Sequence, residues 1–332
     1  MTNRILHGGG ITAAARLYGG QPEDWLDLST GINPNPVALP EISVSAWHRL
    51  PDQHLVEQAR AAARVYYRSE DILPLLVPGT QSVIQLLPRL ASASGVAILS
   101  PTYGEYARAF ALAGLPVCKI TGIDDLTPEQ KLVIVVNPNN PDGRTLSVDR
   151  LRELHDRLQP RGGMLVVDEA FGDMEPESSL APYASSMPNL IIFRSFGKFF
   201  GLAGLRLGFV IAQASILERF EDWLGPWAVS GPALSLAASL MTGDTTSIRN
   251  RILDRRSALD AVLRQARLQV AGGTGLFALV ADDRASDICT HLCRHHILVR
   301  KFDYAPNWLR FGLAPDEVTD RRLARALEAY SI

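Results

Sequence analysis

Short runs of consecutive apolar residues alternate with segments of helical spacing through the first two thirds of the chain. The runs at 73–77, 96–99, 116–120, 132–136, 164–167, 190–193 and 207–211 predict strands buried on both faces. Between them, 81–91, 104–113 and 148–158 have the periodicity of helices, and Ser147 is placed to cap the last of these. Strands separated by helices predict a mostly parallel sheet covered on both sides. From about Ala214 the pattern changes. Two longer helical stretches, 234–241 and 246–267, precede short strands at 275–280, 297–299 and 308–312, and an amphipathic helix over 315–330 closes the chain. This predicts a smaller α+β domain over 214–332 after a large domain over 41–213. Residues 1–40, rich in Gly, Pro and Asn and weakly periodic, predict an extended arm that reaches the active site and the small domain.

Composition narrows the setting. The 332 residues are 47% hydrophobic and 20% charged, as in an ordinary globular protein able to bury a large core. Thirty-three Lys and Arg against 35 Asp and Glu leave a net charge of −2, so no basic field draws in nucleic acid or a membrane surface. No apolar run reaches the roughly 18 residues a transmembrane helix needs. The start, Met1-Thr2-Asn3-Arg4, leads into a glycine cluster rather than an apolar signal segment. Cys118, Cys289 and Cys293 form no disulfide framework, which predicts a cytoplasmic chain.

The most specific stretch runs Ser195-Phe196-Gly197-Lys198-Phe199-Phe200-Gly201-Leu202-Ala203-Gly204-Leu205-Arg206-Leu207-Gly208. Lysine is the side chain that condenses with an aldehyde, and a guanidinium can grip two phosphate oxygens at once. Asp168, in Val166-Val167-Asp168-Glu169-Ala170-Phe171, ends a buried strand, where acids in open α/β sheets line sites or cap the next helix. Asn137-Pro138-Asn139-Asn140-Pro141-Asp142-Gly143 follows another such strand. Pro78-Gly79-Thr80-Gln81 and Pro101-Thr102-Tyr103 occupy two further strand–helix turns, where free backbone N–H groups attract anions.

These segments, S-x-x-K…G-x-x-x-x-R-x-G above all, resemble the class I and II aminotransferases. The resemblance implies an α/β fold, the PLP-dependent transferase fold of type I (aspartate-aminotransferase-like), with pyridoxal 5'-phosphate (PLP) as cofactor. Lys198 would hold the cofactor aldehyde, and Asp168, 30 residues earlier, would pair with the pyridine nitrogen. Tyr103 would stack on the ring, and Asn140 would donate to its phenolic oxygen and to the substrate carboxylate. Gly79, Thr80, Gln81, Ser195 and Arg206 would bind the phosphate. The chain departs from the family at Asp142, at Phe171 and at Arg49-Leu50-Pro51, the last two standing where relatives carry a tyrosine. Each lost hydrogen bond predicts cofactor binding weaker by about 0.5–1.5 kcal/mol.

Substrate choice is expected from the two ends of the chain. Ile297-Leu298-Val299-Arg300 and Trp308-Leu309-Arg310-Phe311-Gly312 each place an arginine on a small-domain strand. By family likeness Arg310 clamps an α-carboxylate. Arg300 is either a second ligand-binding cation or a surface ion pair; two ligand-binding arginines suit a substrate with two anionic groups. His7-Gly8-Gly9-Gly10-Ile11 and Asp27-Leu28-Ser29-Thr30-Gly31-Ile32-Asn33-Pro34 resemble the threonine-phosphate decarboxylases of cobalamin biosynthesis, relatives of histidinol-phosphate aminotransferase, with departures at Gly10 and Gly31. That likeness implies that His7, Gly8, Asn33 and Arg300 surround a substrate phosphate. It also implies a homodimer with its sites at the subunit interface, acting on a small phosphorylated amino acid. Decarboxylation of threonine phosphate is the implied reaction, and transamination of histidinol phosphate or a similar amino phosphate is the alternative. Cys289, His291, Cys293, His295 and His296 fall on an expected helix, but the two pairs at i, i+4 point in different directions, so no metal is expected.

Overall fold

The computed structural model describes residues 5, 7–91 and 95–330; the start Met1–Arg4 lies outside the described residues. Chain order gives β1 (Leu26–Leu28), β2 (Leu75–Val77), β3 (Val96–Leu99), β4 (Val117–Ile120), β5 (Leu132–Val136) and β6 (Met164–Asp168). It continues with β7 (Leu190–Ser195), β8 (Gly208–Ala212), β9 (Val270–Thr274), β10 (Phe277–Ala281), β11 (Ile297–Phe302) and β12 (Ala305–Gly312).

Seven strands form one sheet in the order β2-β8-β7-β6-β5-β3-β4. All its pairings are parallel except those of β8, which runs against both β2 and β7. The apolar runs of β3, β5 and β8 are buried at every position, as a sheet covered on two faces requires. At the edge, β4 is buried only at Ile120, so the expected two-sided burial fails there for want of a second neighbour. Helix formation over 81–91 was expected to be continuous. The structure has instead a helix at Thr80–Ile84 and a 3-10 turn at Leu87–Arg89. Pro88 gives the reason, because it lacks an N–H and crowds the carbonyl four residues back.

The second sheet has the order β1-β11-β12-β10-β9. Here the first 40 residues are more structured than an extended arm. They hold a helix, Ile11–Tyr18, and β1, which pairs parallel with β11 through Leu26↔Ile297 and Leu28↔Val299. Within β9, Gly272 and Gly273 weaken any local strand signal; pairing with β10 supplies the order.

Directly beneath the carboxyl edge of the large sheet, Arg194 of β7 is buried and bonds Glu169 at 2.7 Å and Asp173 at 2.9 Å. Glu169 also accepts from Ser179 Oγ and the Leu180 N–H, which ties down the loop after β6. Replacing Arg194 with Met leaves two buried carboxylates without their cation. We expect Arg194→Met to destabilise the cofactor-free protein by about 3–5 kcal/mol, read as a lower urea midpoint.

Candidate active site

The parallel strands end level with one another: Val136 pairs with Asp168, and Asp168 with Phe193. Reversal of β8 then brings its first residue to the same edge, where Gly208 pairs with Ser195 on one side and Val77 on the other. Residues just after β2, just before β8 and at the end of β7 therefore meet. They open into a cavity of about 700 Å³ lined by His7, Gly8, Gly79, Thr80, Gln81, Tyr103, Asn140, Asp168, Ser195, Lys198, Arg206, Arg300 and Arg310. Thirteen expected side chains or backbone groups thus share one hollow, which takes lining residues from strands of both sheets.

At the large-sheet end, the Arg206 guanidinium lies so close to Gly79 that a Cβ there would stand 2.8 Å from Nη2. Gly79, with φ of 75°, suits the turn on both counts. Arg206 Nη1 donates to the Ala203 carbonyl at 3.0 Å, which aims the fork. Gln81 accepts from the Tyr103 hydroxyl at 3.0 Å. The amine of Lys198 sits 4.6 Å from the centre of the Phe171 ring. Burial, followed by repulsion from Arg310 and Arg206, lowers the Lys198 pKa to about 8 against an opposing pull from Asp168. Burial raises the pKa of Asp168, although the Tyr106 hydroxyl at 2.7 Å, the Ala170 N–H at 2.9 Å and Lys198 all favour its charged form. Burial likewise pushes the Tyr103 hydroxyl up to about 12.

At the small-sheet end, Arg300 and Arg310 are direct partners across β11 and β12. Burial first, then Arg300, lowers the Arg310 pKa to about 10, and burial lowers that of Arg300. Arg310 donates to Asn140 Oδ1 at 2.5 Å and to the Ser29 carbonyl at 2.8 Å. With its oxygen taken, Asn140 has its amide N–H₂ left to offer.

Asn33 is placed differently from the other expected groups. It is buried, and its Nδ2 donates to the Phe199 carbonyl at 2.9 Å while Oδ1 accepts from the Asn35 N–H at 3.0 Å. Its own N–H donates to the Lys198 carbonyl at 2.9 Å. Asn33 is not among the cavity-lining residues and instead braces the backbone that carries the lysine. Two neighbours that sequence reasoning missed are Tyr106, which bonds Asp168, and Glu105, which bonds Gln81 at 3.0 Å. Their position in the helix that follows Tyr103 was the available signal. Away from the cavity, Cys289 and Cys293 are buried, and the His291 and His295 rings lie 4.6 Å apart. Among the described residues no three His, Cys, Asp or Glu side chains are grouped to hold a metal ion, and no helix is long and apolar enough to cross a membrane.

Comparison with known proteins decides the family. The model for aminotransferase class I and II matches residues 23–328. The chain belongs to that family. A threonine-phosphate decarboxylase from Sinorhizobium sp. is 62% identical to this class I and II member over 98% of both chains. One from Pseudomonas aeruginosa is 44% identical, covering 98% of this chain and 97% of its own. Among solved structures, histidinol-phosphate aminotransferase from Sinorhizobium meliloti in complex with pyridoxal-5'-phosphate superposes with a TM-score of 0.81 at 18% identity, over 98% of this chain and 96% of that one. The present protein is a PLP-dependent enzyme of fold type I. Its cavity suits that cofactor: a buried amine of lowered pKa for an aldehyde, a buried carboxylate for a ring nitrogen, and a guanidinium beside Ser195 and Thr80 for a phosphate.

Lowering of the Lys198 pKa has a stability cost. The unfolded chain binds the proton up to about pH 10.5, whereas the folded one releases it near 8. Stability therefore rises with pH between those values, and below pH 8 the buried amine opposes folding in full. Lys198→Met should stabilise the cofactor-free protein at pH 7 by on the order of 3 kcal/mol. In urea titrations at successive pH values, that gain should shrink from pH 8 towards 10.5.

Proposed function

We propose that this chain is a lyase that decarboxylates L-threonine O-3-phosphate to (R)-1-amino-2-propanol O-2-phosphate and carbon dioxide, in the cytoplasm and as a step of cobalamin biosynthesis. The carrying observation is the Arg300–Arg310 pair on adjacent strands beside Lys198. Like charges directly opposite one another are destabilising. A substrate with two anionic groups, a carboxylate and a phosphate, removes that repulsion and binds through it. The 62% identity to a threonine-phosphate decarboxylase over nearly the whole of both chains supports the same reading. Histidinol phosphate, the substrate of the rival transamination, has no α-carboxylate to offer Arg310.

In this reading, residues 1–40 are an arm reaching the active site, 41–213 the cofactor domain and 214–332 the small domain. Lys198, its pKa lowered to about 8 by burial, gives up its proton far more readily than a free lysine and so presents a lone pair on Nζ for the cofactor aldehyde. Bound PLP supplies the electron sink that draws off the pair left at the substrate Cα when carbon dioxide departs. Tyr106 and the Ala170 N–H hold Asp168, whose carboxylate pairs with a cationic ring nitrogen. Tyr103 would flank the ring, Asn140 would donate to its phenolic oxygen, and Arg206, Ser195, Gly79, Thr80 and Gln81 would hold its phosphate. Arg310 grips the substrate carboxylate and sets its angle to the ring, while Arg300, His7 and Gly8 take the substrate phosphate. Lys198 Nζ–H then returns a proton to Cα. Exposed Val44 and Trp47 on the helix Val44–His48, with Leu39 and Leu50 beside it, support a homodimer with its sites at the subunit interface.

The deciding assay supplies threonine phosphate without any keto acid. Carbon dioxide should be released, and Lys198→Ala should release none. Amino transfer to 2-oxoglutarate with no carbon dioxide would sink the proposal in favour of transamination. Arg310→Lys should lower kcat/KM by about 10- to 100-fold, because a charge-assisted hydrogen bond contributes about 1.5–3 kcal/mol. Light scattering should give twice the 36.3 kDa chain mass.

A further inference from the structure

Glu105 is a buried carboxylate just behind the cavity, bonded to three residues that line it, His7, Gln81 and Arg108. Alone it would be costly to desolvate and would repel the ligand. Four side chains offset this: His7 Nε2 lies 2.9 Å from Oε1, while Gln81 Nε2 at 3.0 Å, Gln85 Nε2 at 3.2 Å and Arg108 Nη1 at 3.5 Å donate to Oε2. Three of these partners come from the large-sheet side of the cavity. His7 comes from the N-terminal arm, 98 residues away in sequence.

The arm has further attachments on both sides of this bond. Ile5 rests over Gly104, and the His7 ring is 5.9 Å from that of Tyr103. On the other side, the backbone of Gly8 presses against the Ser29 carbonyl too closely for any Cβ, and the Gly9 N–H donates to Ser29 Oγ at 2.7 Å. The same Ser29 carbonyl accepts from Arg310. The arm thus spans the mouth from the large sheet at Glu105 to the small sheet at Ser29 and Arg310, with His7 and Gly8 lining the cavity between.

We propose that Glu105 is a positioning residue that fastens the arm across the substrate end of the cavity, so that His7 and Gly8 can meet the second anionic group of the ligand. This rests on the reading of the site as one for a phosphorylated amino acid. With Nε2 engaged by Glu105, Nδ1 is the ring atom left for that ligand. Loss of the anchor frees the arm but leaves Lys198, Asp168 and Arg206 in place, so binding suffers more than turnover.

Glu105→Gln keeps the volume and removes the charge. In the holoenzyme without substrate, hydrogen exchange of the amides at 7–10 should quicken by about tenfold or more, the scale of one charge-assisted hydrogen bond. With threonine phosphate, KM should rise about tenfold while kcat stays within about threefold. His7→Ala, at a half-exposed position, should quicken the same amides and raise KM at least as far, because it also removes the ligand contact, and adding Glu105→Gln to it should change neither further. Unchanged arm exchange, additive effects, or a fall in kcat at constant KM would overturn the proposal. Exchange is read without substrate, so it still decides the role of Glu105 should the wild type release no carbon dioxide, an outcome that would overturn the decarboxylase reading instead.

Discussion

One reversed strand organises the site. Because β8 runs against its neighbours, Gly208 pairs at once with Val77 and Ser195, and three loops that are distant in sequence are held within reach of one another. A parallel β8 would carry Arg206 to the opposite edge of the sheet. Backbone hydrogen bonds at Gly208 thus fix where a phosphate can be gripped, and the level ends of β5, β6 and β7 fix where Asp168 and Lys198 stand relative to it. Ligands of open α/β sheets lie at this carboxyl edge for the same geometric reason.

Onto that frame the chain gathers cationic charge, with Arg310 buried and Lys198 and Arg300 half-buried. Lys198, Arg206, Arg300 and Arg310 line one hollow, and the lowered pKa values of Lys198 and Arg310 record the strain of keeping them there. Function and stability pull apart here. A lysine made easier to deprotonate is a better nucleophile, and an arginine pressed against another arginine has more to gain from an anion. The buried ion cluster of Arg194, Glu169 and Asp173 lies just behind, where it holds the loop that follows Asp168.

Charge also explains the arm. Its glycines give it little cohesion of its own, so its course is set by what it touches: Ser29 on one side, Glu105 on the other. A segment held by a few polar bonds can cover a ligand and release it, which a strand buried in the core cannot do.

Sequence alone determined the family, the fold class and thirteen of the groups that line the cavity. Lys198, Asp168, Asn140 and Arg206 lie in local motifs whose spacing is dictated by strand ends, and such spacing is written along the chain. Apolar runs likewise announced the strands of the large sheet, because full burial leaves an uninterrupted apolar signature. Contacts between distant segments left no such trace. Nothing near residue 33 indicates that Asn33 braces the backbone at Lys198, nothing near 106 names Asp168 as its partner, and nothing in the arm gives the parallel register in which Leu26–Leu28 pairs with the strand that starts at Ile297. The direction of β8 was equally hidden, since an apolar strand reads the same whichever way it runs. Local order and side-chain chemistry are properties of neighbouring residues, whereas pairing direction, long-range hydrogen bonds and burial arise only when the chain packs.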